Sequence, residues 1–398
     1  MIMRIGDKYS IGLLQAGLAS INNRINWGTN KKHHNRRAFY MPNLLDSVAF
    51  TRGPNMKNRF MLAPLTNSQS HEDGVMSEEE YHWLTKRAEG GFGLTMTCAA
   101  HVQAIGKGFP GQLGVWSDDH LPGLRRMAET INSHGSVSIV QLHHAGNRSP
   151  EKIIGEAPVC PSADEKSGAR ALSHTEVKSL VQDFIEAAVR SEKAGFHGVE
   201  LHGAHGYILC QFFSPALNQR TDEYGGSAEN RFRILFEIIE GIRQRTASDF
   251  MLGVRLSPER FDMRLAEVKA VAEQLMLSGD IDFLDMSLWD CFKEPEEEEF
   301  KGRTLLSHFT ELKRGNCLLG AAGKIRTPAE AEQILSEGLD WIMLGRAAIL
   351  HHDFPNRYKE NSQFVPVDTP VTRQYLADEA LSEKFINYMA SWGDFVAD

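Results

Sequence analysis

The chain lacks the features that mark several protein classes. Its five cysteines, Cys98, Cys160, Cys210, Cys291 and Cys317, are odd in number, far apart and never arranged as C-x-x-C, which argues against a disulfide framework and against zinc or iron–sulfur clusters. A reducing, cytoplasmic setting is the expectation. No apolar run approaches the ~20 residues needed to cross a bilayer. The best stretch, Ile11 to Ala19, is broken by glycine and glutamine, so no membrane partner is expected. Basic side chains are scarce beyond position 40, where 36 Lys/Arg stand against 51 Asp/Glu, a net charge of −15. Such an acidic body lacks the basic face that phosphate neutralisation requires, and no nucleic-acid partner is expected. Compositional bias is absent too: 42% hydrophobic, 9% aromatic and 24% charged residues exclude disorder or fibrous repeats for the bulk of the chain.

The basic residues that do exist are concentrated at the start. Residues 1–40 hold seven Lys/Arg, namely Arg4, Lys8, Arg24, Lys31, Lys32, Arg36 and Arg37, against the single acid Asp7. That composition resembles a transit peptide and equally fits a flexible tail or an over-extended start site, so the segment is set apart from the fold. Residues 41–398 then form one unit, because α/β barrels exceed the usual ~150 residues per domain.

Within that unit, short apolar or β-branched runs begin near Phe60, Gly93, Val137, His197, Phe250, Ile281, Cys317 and Asp340. Helical spacing of apolar residues fills 77–90, 120–134, 175–195, 228–246, 264–279 and 328–338. Ser77, Thr175 and Thr327 are in N-cap position, with Pro328 at the first helical residue. Gly90, Gly195, Gly279 and Gly338 mark helix ends. Eight strand–helix units in series, without a compositional break, predict an α/β fold, a single (β/α)8 TIM barrel; an open doubly wound sheet is the alternative. Barrel chemistry sits where strands end, and polar or glycine residues stand there: Thr66, Gln141 with His143, His202, Arg255, Ser287, Gly323 with Lys324, and Gly345 with Arg346.

Those residues suggest roles before any comparison. Gly323, Gly345 and Arg346, in the last two loops, suit a phosphorylated ligand, since glycine admits close backbone N–H groups and arginine binds an anion with two. His202 and His205, in H-G-A-H-G-Y207, could with Glu200, His143 and His144 hold a metal, but no further ligand set recurs on later strands and no metal is expected. Two neutral imidazoles beside a phenol can instead hold a carbonyl oxygen. A phenol, titrating near ~10, is protonated at neutral pH and can donate to a developing carbanion. Arg255 needs an anionic partner in so enclosed a place, either a ligand or Glu200. The G-x-G-x-x-G pattern of Gly106 to Gly111 contains Pro110 and opens no helix, so it carries no nucleotide argument. Glu294 to Glu299 reads as a solvated, mobile loop.

Six segments in order, N-R-F-M-L-A-P-L-T (58–66), G-Q-L-G-V-W-S-D-D-H (111–120), Q-L-H-H-A-G (141–146), H-G-A-H-G-Y (202–207), S-P-x-x-N-x-R-T-D-E-Y-G-G-S-x-E-N-R (214–231) and L-G-R (344–346), resemble the Old Yellow Enzyme family of FMN-dependent ene-reductases. The resemblance runs from about Leu44 to about Asp353. It implies a barrel holding FMN non-covalently, with NAD(P)H as co-substrate. Ala63, Pro64, Leu65 and Thr66 would flank the flavin ring, Ala99 its edge and Gln141 its pyrimidine side. Arg255 would lie against N1/O2, and Gly323, Gly345 and Arg346 would hold the phosphate. The implied reaction passes hydride from NAD(P)H to flavin N5 and on to the β-carbon of an enone or related electron-poor alkene. His202 and His205 would grip the substrate oxygen while Tyr207 protonates the α-carbon.

Two departures qualify this. One subclass has Cys and Tyr where this chain has Thr66 and Ser68, and longer relatives append an iron–sulfur cysteine cluster and nucleotide-binding domains, so a long-type dienoyl-thioester reductase is not expected. The competing functions are a His-cluster metallohydrolase and a non-catalytic phosphate-ligand-binding barrel. The apolar tail Tyr388 to Phe395 is suited to packing on the barrel or on a neighbour in a homo-oligomer.

Overall fold

The computed structural model describes residues 42–397, and the basic extension of residues 1–40 lies outside them. Eight strands alternate with helices: β1 (Phe60–Leu62), β2 (Leu94–His101), β3 (Val137–His143), β4 (Gly198–Gly203), β5 (Met251–Leu256), β6 (Phe283–Ser287), β7 (Leu318–Ala322) and β8 (Trp341–Leu344). All pair in parallel, and β1 closes the ring by pairing with both β8, Phe60 opposite Ile342, and β2, Met61 opposite Leu94. A closed parallel barrel buries both faces of every strand, which explains why the runs read as continuous apolar stretches. The open-sheet alternative is set aside by that closure.

The helices begin where short polar side chains satisfy their first N–H groups. Ser77 accepts from the Glu80 amide, and Thr327, followed by Pro328, forms a reciprocal cap with Glu330. The helix His174–Lys193 corrects the sequence reading: its cap is Ser173, not Thr175, because Ser173 and Glu176 make the reciprocal pair three residues apart. The first strand is also shorter than the run suggests. The Ala63 amide still reaches Leu344 O at 3.0 Å, but Pro64 has no N–H to continue the ladder, so Thr66 stands on a loop beyond the strand.

Alternation along the strands grades the barrel interior from apolar to polar. At the N-terminal end Met61, Met96, Ile139, Met251, Phe283, Trp341 and Met343 form one apolar cluster. A bridge between Val48 and Met56 closes that end and sets Phe50 against Trp341, ring centroids 5.6 Å apart. Further along, the same inward faces carry Gln141, Glu200, Arg255 and Asp285, and near the strand ends His143, His202 and Ser287.

Two segments outside the barrel resolve open questions. Among the acidic residues 294–299, the Glu297 carboxylate accepts the Leu265 amide at 2.6 Å and so caps the helix Leu265–Ser278, whose own N-cap residue, Arg264, makes no side-chain cap. The Glu296 amide donates to buried Glu259. The segment is therefore tied to the barrel helices rather than simply solvated. The tail helix Glu383–Ala390 packs on its own barrel, with Phe385 against Trp83 at 5.4 Å and the Ser382 amide on Gln69 Oε1 at 3.0 Å. Among the described residues no helix is long and apolar enough to cross a membrane.

Candidate active site

The strand ends bring His143, His202, His205 and Tyr207 into one cluster at the C-terminal mouth. His202 is the penultimate residue of β4, and the turn that follows needs positive φ at His205 (61°) and Gly206 (72°), which bends the chain back so that Tyr207 faces the strand ends. The turn is held by Gln211, whose side-chain amide donates to Gly206 O (2.8 Å) and Asn147 Oδ1 (2.7 Å). Ring centroids lie 4.3 Å apart for His143–Tyr207, 5.1 Å for His202–Tyr207 and 4.9 Å for His202–His205. Arg148 stacks over the Tyr207 ring at 4.8 Å and donates to His205 O. The sequence reading missed Arg148, although a basic residue soon after β3 is the signal.

The hydrogen bonds assign a direction to the histidine pair. His202 Nδ1 accepts the Ala204 amide at 3.3 Å, so a neutral ring carries its proton on Nε2 and donates it to His205 Nδ1 at 3.2 Å. His205 then donates from Nε2 to Ser287 Oγ at 2.6 Å. Neutrality follows from burial: loss of water, reinforced by Arg255 and Arg148, holds His202 and His205 well below the usual imidazole range, and burial does the same to His143. Both imidazole N–H groups are thus committed within the cluster, and a ligand oxygen is gripped only when these donors turn outward. Among the described residues no group of three His, Cys, Asp or Glu side chains is arranged to hold a metal.

The expected flavin contacts occupy the rest of the mouth. Ala63 is buried, and Pro64, Leu65 and Thr66 are half-buried on the loop after β1. A register shift between Met96 and Ala99 in β2 leaves half-buried Ala99 beside Gln141. Gln141 is tethered inward, donating from Nε2 to Glu200 Oε1 at 2.7 Å. Arg255 reaches Ser287 Oγ at 3.5 Å, while its Nε is buried without a partner. No ion pair ties Arg255 to Glu200, although the charges of Glu200 and Asp285 act on it. An incompletely satisfied guanidinium under the mouth fits an electron-rich heterocycle above it.

On the far side, Arg346 and Arg326 bear on each other, and the Arg326 charge adds to burial in lowering the Arg346 pKa. Neither guanidinium has a carboxylate partner among the described residues. Two like charges held together without a counter-ion fit a phosphate. Gly323 is required first by packing: a Cβ there would lie 2.9 Å from the Asp290 and Cys291 amide nitrogens, and the Cys291 amide donates to Gly323 O at 3.2 Å. Gly345 faces more open space, with only Leu65 near the same position. The Arg326 contribution was not read from the sequence, where it follows a lysine that instead pairs with Asp290 at 2.9 Å. Also missed was Tyr388, from the tail helix, whose phenol lies by the Thr66 hydroxyl and within electrostatic reach of Tyr207.

The chain resembles known proteins along most of its length. The family model described as NADH:flavin oxidoreductase / NADH oxidase matches residues 50–364. A probable NADH-dependent flavin oxidoreductase YqiG of Bacillus subtilis (strain 168) is 33% identical over 337 residues, covering 81% of this chain and 89% of that protein. An NADH oxidase of Thermoanaerobacter brockii is 34% identical, covering 77% of this chain, which spans only 49% of that longer protein. The Old Yellow Enzyme homologue of Zymomonas mobilis superposes with a TM-score of 0.73 at 28% identity, covering 87% of this chain and 99% of that one. The chain therefore belongs to the NADH:flavin oxidoreductase / NADH oxidase family, the Old Yellow Enzyme family, and is an FMN-dependent oxidoreductase that draws its electrons from NAD(P)H.

Proposed function

We propose that the chain reduces the C=C bond of α,β-unsaturated carbonyl compounds. The observation that carries this reading is the Tyr207 phenol set against two neutral imidazoles, buried His202 and half-buried His205, at the barrel mouth. Bound FMN supplies hydride transfer between the nicotinamide and the electron-poor alkene. Every other task falls to this chain's side chains.

Once their N–H groups turn from each other and from Ser287 toward the pocket, His202 and His205 serve as hydrogen-bond donors to the substrate carbonyl, polarising the alkene toward attack at its β-carbon. A neutral donor is suited to this role, since it binds the uncharged enone without requiring a counter-ion in a dry pocket. Tyr207 donates its phenolic proton to the α-carbon. Arg148, stacked on the ring, favours the phenolate that remains. Gln141 and Arg255 hold the pyrimidine end of FMN, Ala63 to Thr66 and Ala99 border its ring, and Gly323, Gly345, Arg346 and Arg326 take its phosphate.

The test is spectroscopic. Purified protein is expected to be yellow, to bleach anaerobically with NADH or NADPH, and to recover its oxidised spectrum on addition of cyclohexenone or a maleimide. Bleaching without recovery by either acceptor would sink the proposal.

A further inference from the structure

Beneath the mouth three ionisable side chains meet in the dry interior of the barrel. Glu200 on β4 and Asp285 on β6 are fully buried, and Arg255 on β5, between them, is 4% exposed. The strand register places Arg255 opposite Asp285 and sets Glu200 one pleat below His202, itself opposite Arg255. Each carboxyl has one satisfied oxygen: Glu200 Oε1 accepts from Gln141 Nε2, and Asp285 Oδ1 accepts from Trp341 Nε1 at 3.1 Å. The second oxygen of each, Glu200 Oε2 and Asp285 Oδ2, is buried with no donor to accept from. The two carboxyl groups are hydrogen-bond neighbours.

Two buried carboxyl groups within hydrogen-bond reach of each other can satisfy such oxygens when one of them carries a proton and donates it to the other. Two carboxylates in such a place repel strongly, as like charges at close range do in a low dielectric. We propose that Glu200 and Asp285 share a single proton, carried on Asp285 and donated to Glu200, so that the pair presents one negative charge to Arg255. Burial pushes both carboxyls up; Asp285 is assigned the proton because the Glu200 charge and hydrogen bond raise it further, whereas on Glu200 the Asp285 hydrogen bond, Arg255 and Gln141 all oppose the effect of burial. The remaining titratable neighbours do not alter the count: His202 and His205 are held neutral by burial, and the Cys317 thiol is pushed up.

The consequence concerns the charge beneath the cofactor. A singly protonated pair makes the Arg255 layer neutral overall, whereas two ionised carboxylates would make it negative. Glu200 and Asp285 are then positioning residues that act through Arg255, and this part rests on the reading that Arg255 lies against FMN. A more positive layer favours whichever form of a bound group carries the extra negative charge.

Charge counting gives the test. Glu200→Gln and Asp285→Asn each replace a carboxyl with an isosteric amide that can take the donor role, and each leaves one negative charge. The double variant leaves none. The midpoint potential of bound FMN is therefore expected to stay at the wild-type value in each single variant and to rise in the double variant by a tenfold or greater shift in the reduced-to-oxidised ratio, about 30 mV for two electrons. Two single shifts of equal sign that add in the double variant would overturn the proposal, because that pattern belongs to two ionised carboxylates. Infrared difference spectra of the FMN-free protein provide an arm independent of the cofactor. Each single variant is expected to lose one protonated-carboxyl C=O component that the wild type shows, any component from buried Glu80 remaining in all three, and identical carboxyl bands in the wild type and both variants overturn the proposal. If FMN fails to bind at all, the reading of Arg255 falls while the infrared arm still decides the shared proton.

Discussion

Tyr207→Phe isolates proton donation from packing. The ring of Tyr207 is held by His143 at 4.3 Å, by His202 at 5.1 Å and by the Arg148 guanidinium at 4.8 Å, and none of these contacts requires the hydroxyl. A phenylalanine keeps them all, and the fold should lose no more than the ~0.5 kcal/mol typical of a mild substitution. Loss of a positioned general acid costs ~10² to 10⁴-fold in rate, or about 3 to 5 kcal/mol at 1.36 kcal/mol per decade. The assay is anaerobic stopped-flow in two halves. Bleaching by NADH or NADPH is expected to keep its rate, since no proton reaches carbon in that half. Reoxidation by cyclohexenone is expected to slow by ~10²-fold or more. Reoxidation by a benzoquinone, whose oxygens take protons directly from water, should be unaffected. Unimpaired enone turnover, or equal slowing of enone and quinone, would remove Tyr207 from proton donation.

Other outcomes follow from the same geometry. Arg326→Ala and Arg346→Ala should each weaken FMN binding by about 1.5 to 3 kcal/mol, the range for hydrogen bonds to a charged group, while leaving the FMN-free protein no less stable because a like-charge contact is relieved; fluorescence titration showing unchanged affinity in both would displace the phosphate from this loop pair. Gly320→Ala would bring a Cβ within 2.1 Å of Trp341 Nε1 and 2.2 Å of Asp285 Oδ1, and is expected to lower stability to urea by about 2 to 6 kcal/mol through overpacking and a lost indole hydrogen bond. Gly393→Ala, with open space around it, serves as the control, and equal midpoints for the two would be inconsistent with this interior. Acid should destabilise the FMN-free protein. Burial lowers His101 to about 4 and His144 to about 3, and holds His143, His202 and His205 well below the usual range. The unfolded chain therefore binds more protons once pH falls below ~6.5, and stability is lost from there downward through the folded values. The raised carboxyls of Glu80, Asp183, Glu200 and Asp285 act in the opposite sense, but they are fewer than the five imidazoles. A urea midpoint at pH 5 equal to or above that at pH 7 would contradict this.

The strands were legible because a parallel barrel buries both strand faces, and glycine and capping residues punctuate the runs between them. Boundaries failed where one side chain outcompeted another: Ser173 over Thr175, by reaching Glu176, and Pro64 over the apolar run that continues past it. At the mouth, residues at strand ends were visible because alternation assigns them a face. Asp285 was overlooked inside the apolar run I-D-F-L-D-M-S, although an acid two residues before Ser287 shares its inward face. Tyr388 and Arg326 were beyond reach for another reason. Their partners, Thr66 and Arg346, are distant in sequence, and nothing local announces such pairings.

The graded interior explains why the chemistry is confined to one end. On β3 the inward positions run Val137, Ile139, Gln141, His143, on β5 Met251, Gly253, Arg255, and on β6 Phe283, Asp285, Ser287. Each step toward the C-terminal end exchanges apolar packing for hydrogen-bonding capacity, and the apolar floor denies the polar layer any water from below. That dryness keeps the histidines neutral and forces Glu200, Asp285 and Arg255 to settle their charges among themselves. Substrate-side donors and the charged layer beneath them are thus two consequences of one pattern, the two-residue period of strands that end together. A change at the apolar floor that admits water, such as Trp341→Ala, should therefore be felt at the mouth as imidazoles that titrate closer to their ordinary range, a shift that histidine proton resonances followed through pH would detect or refute.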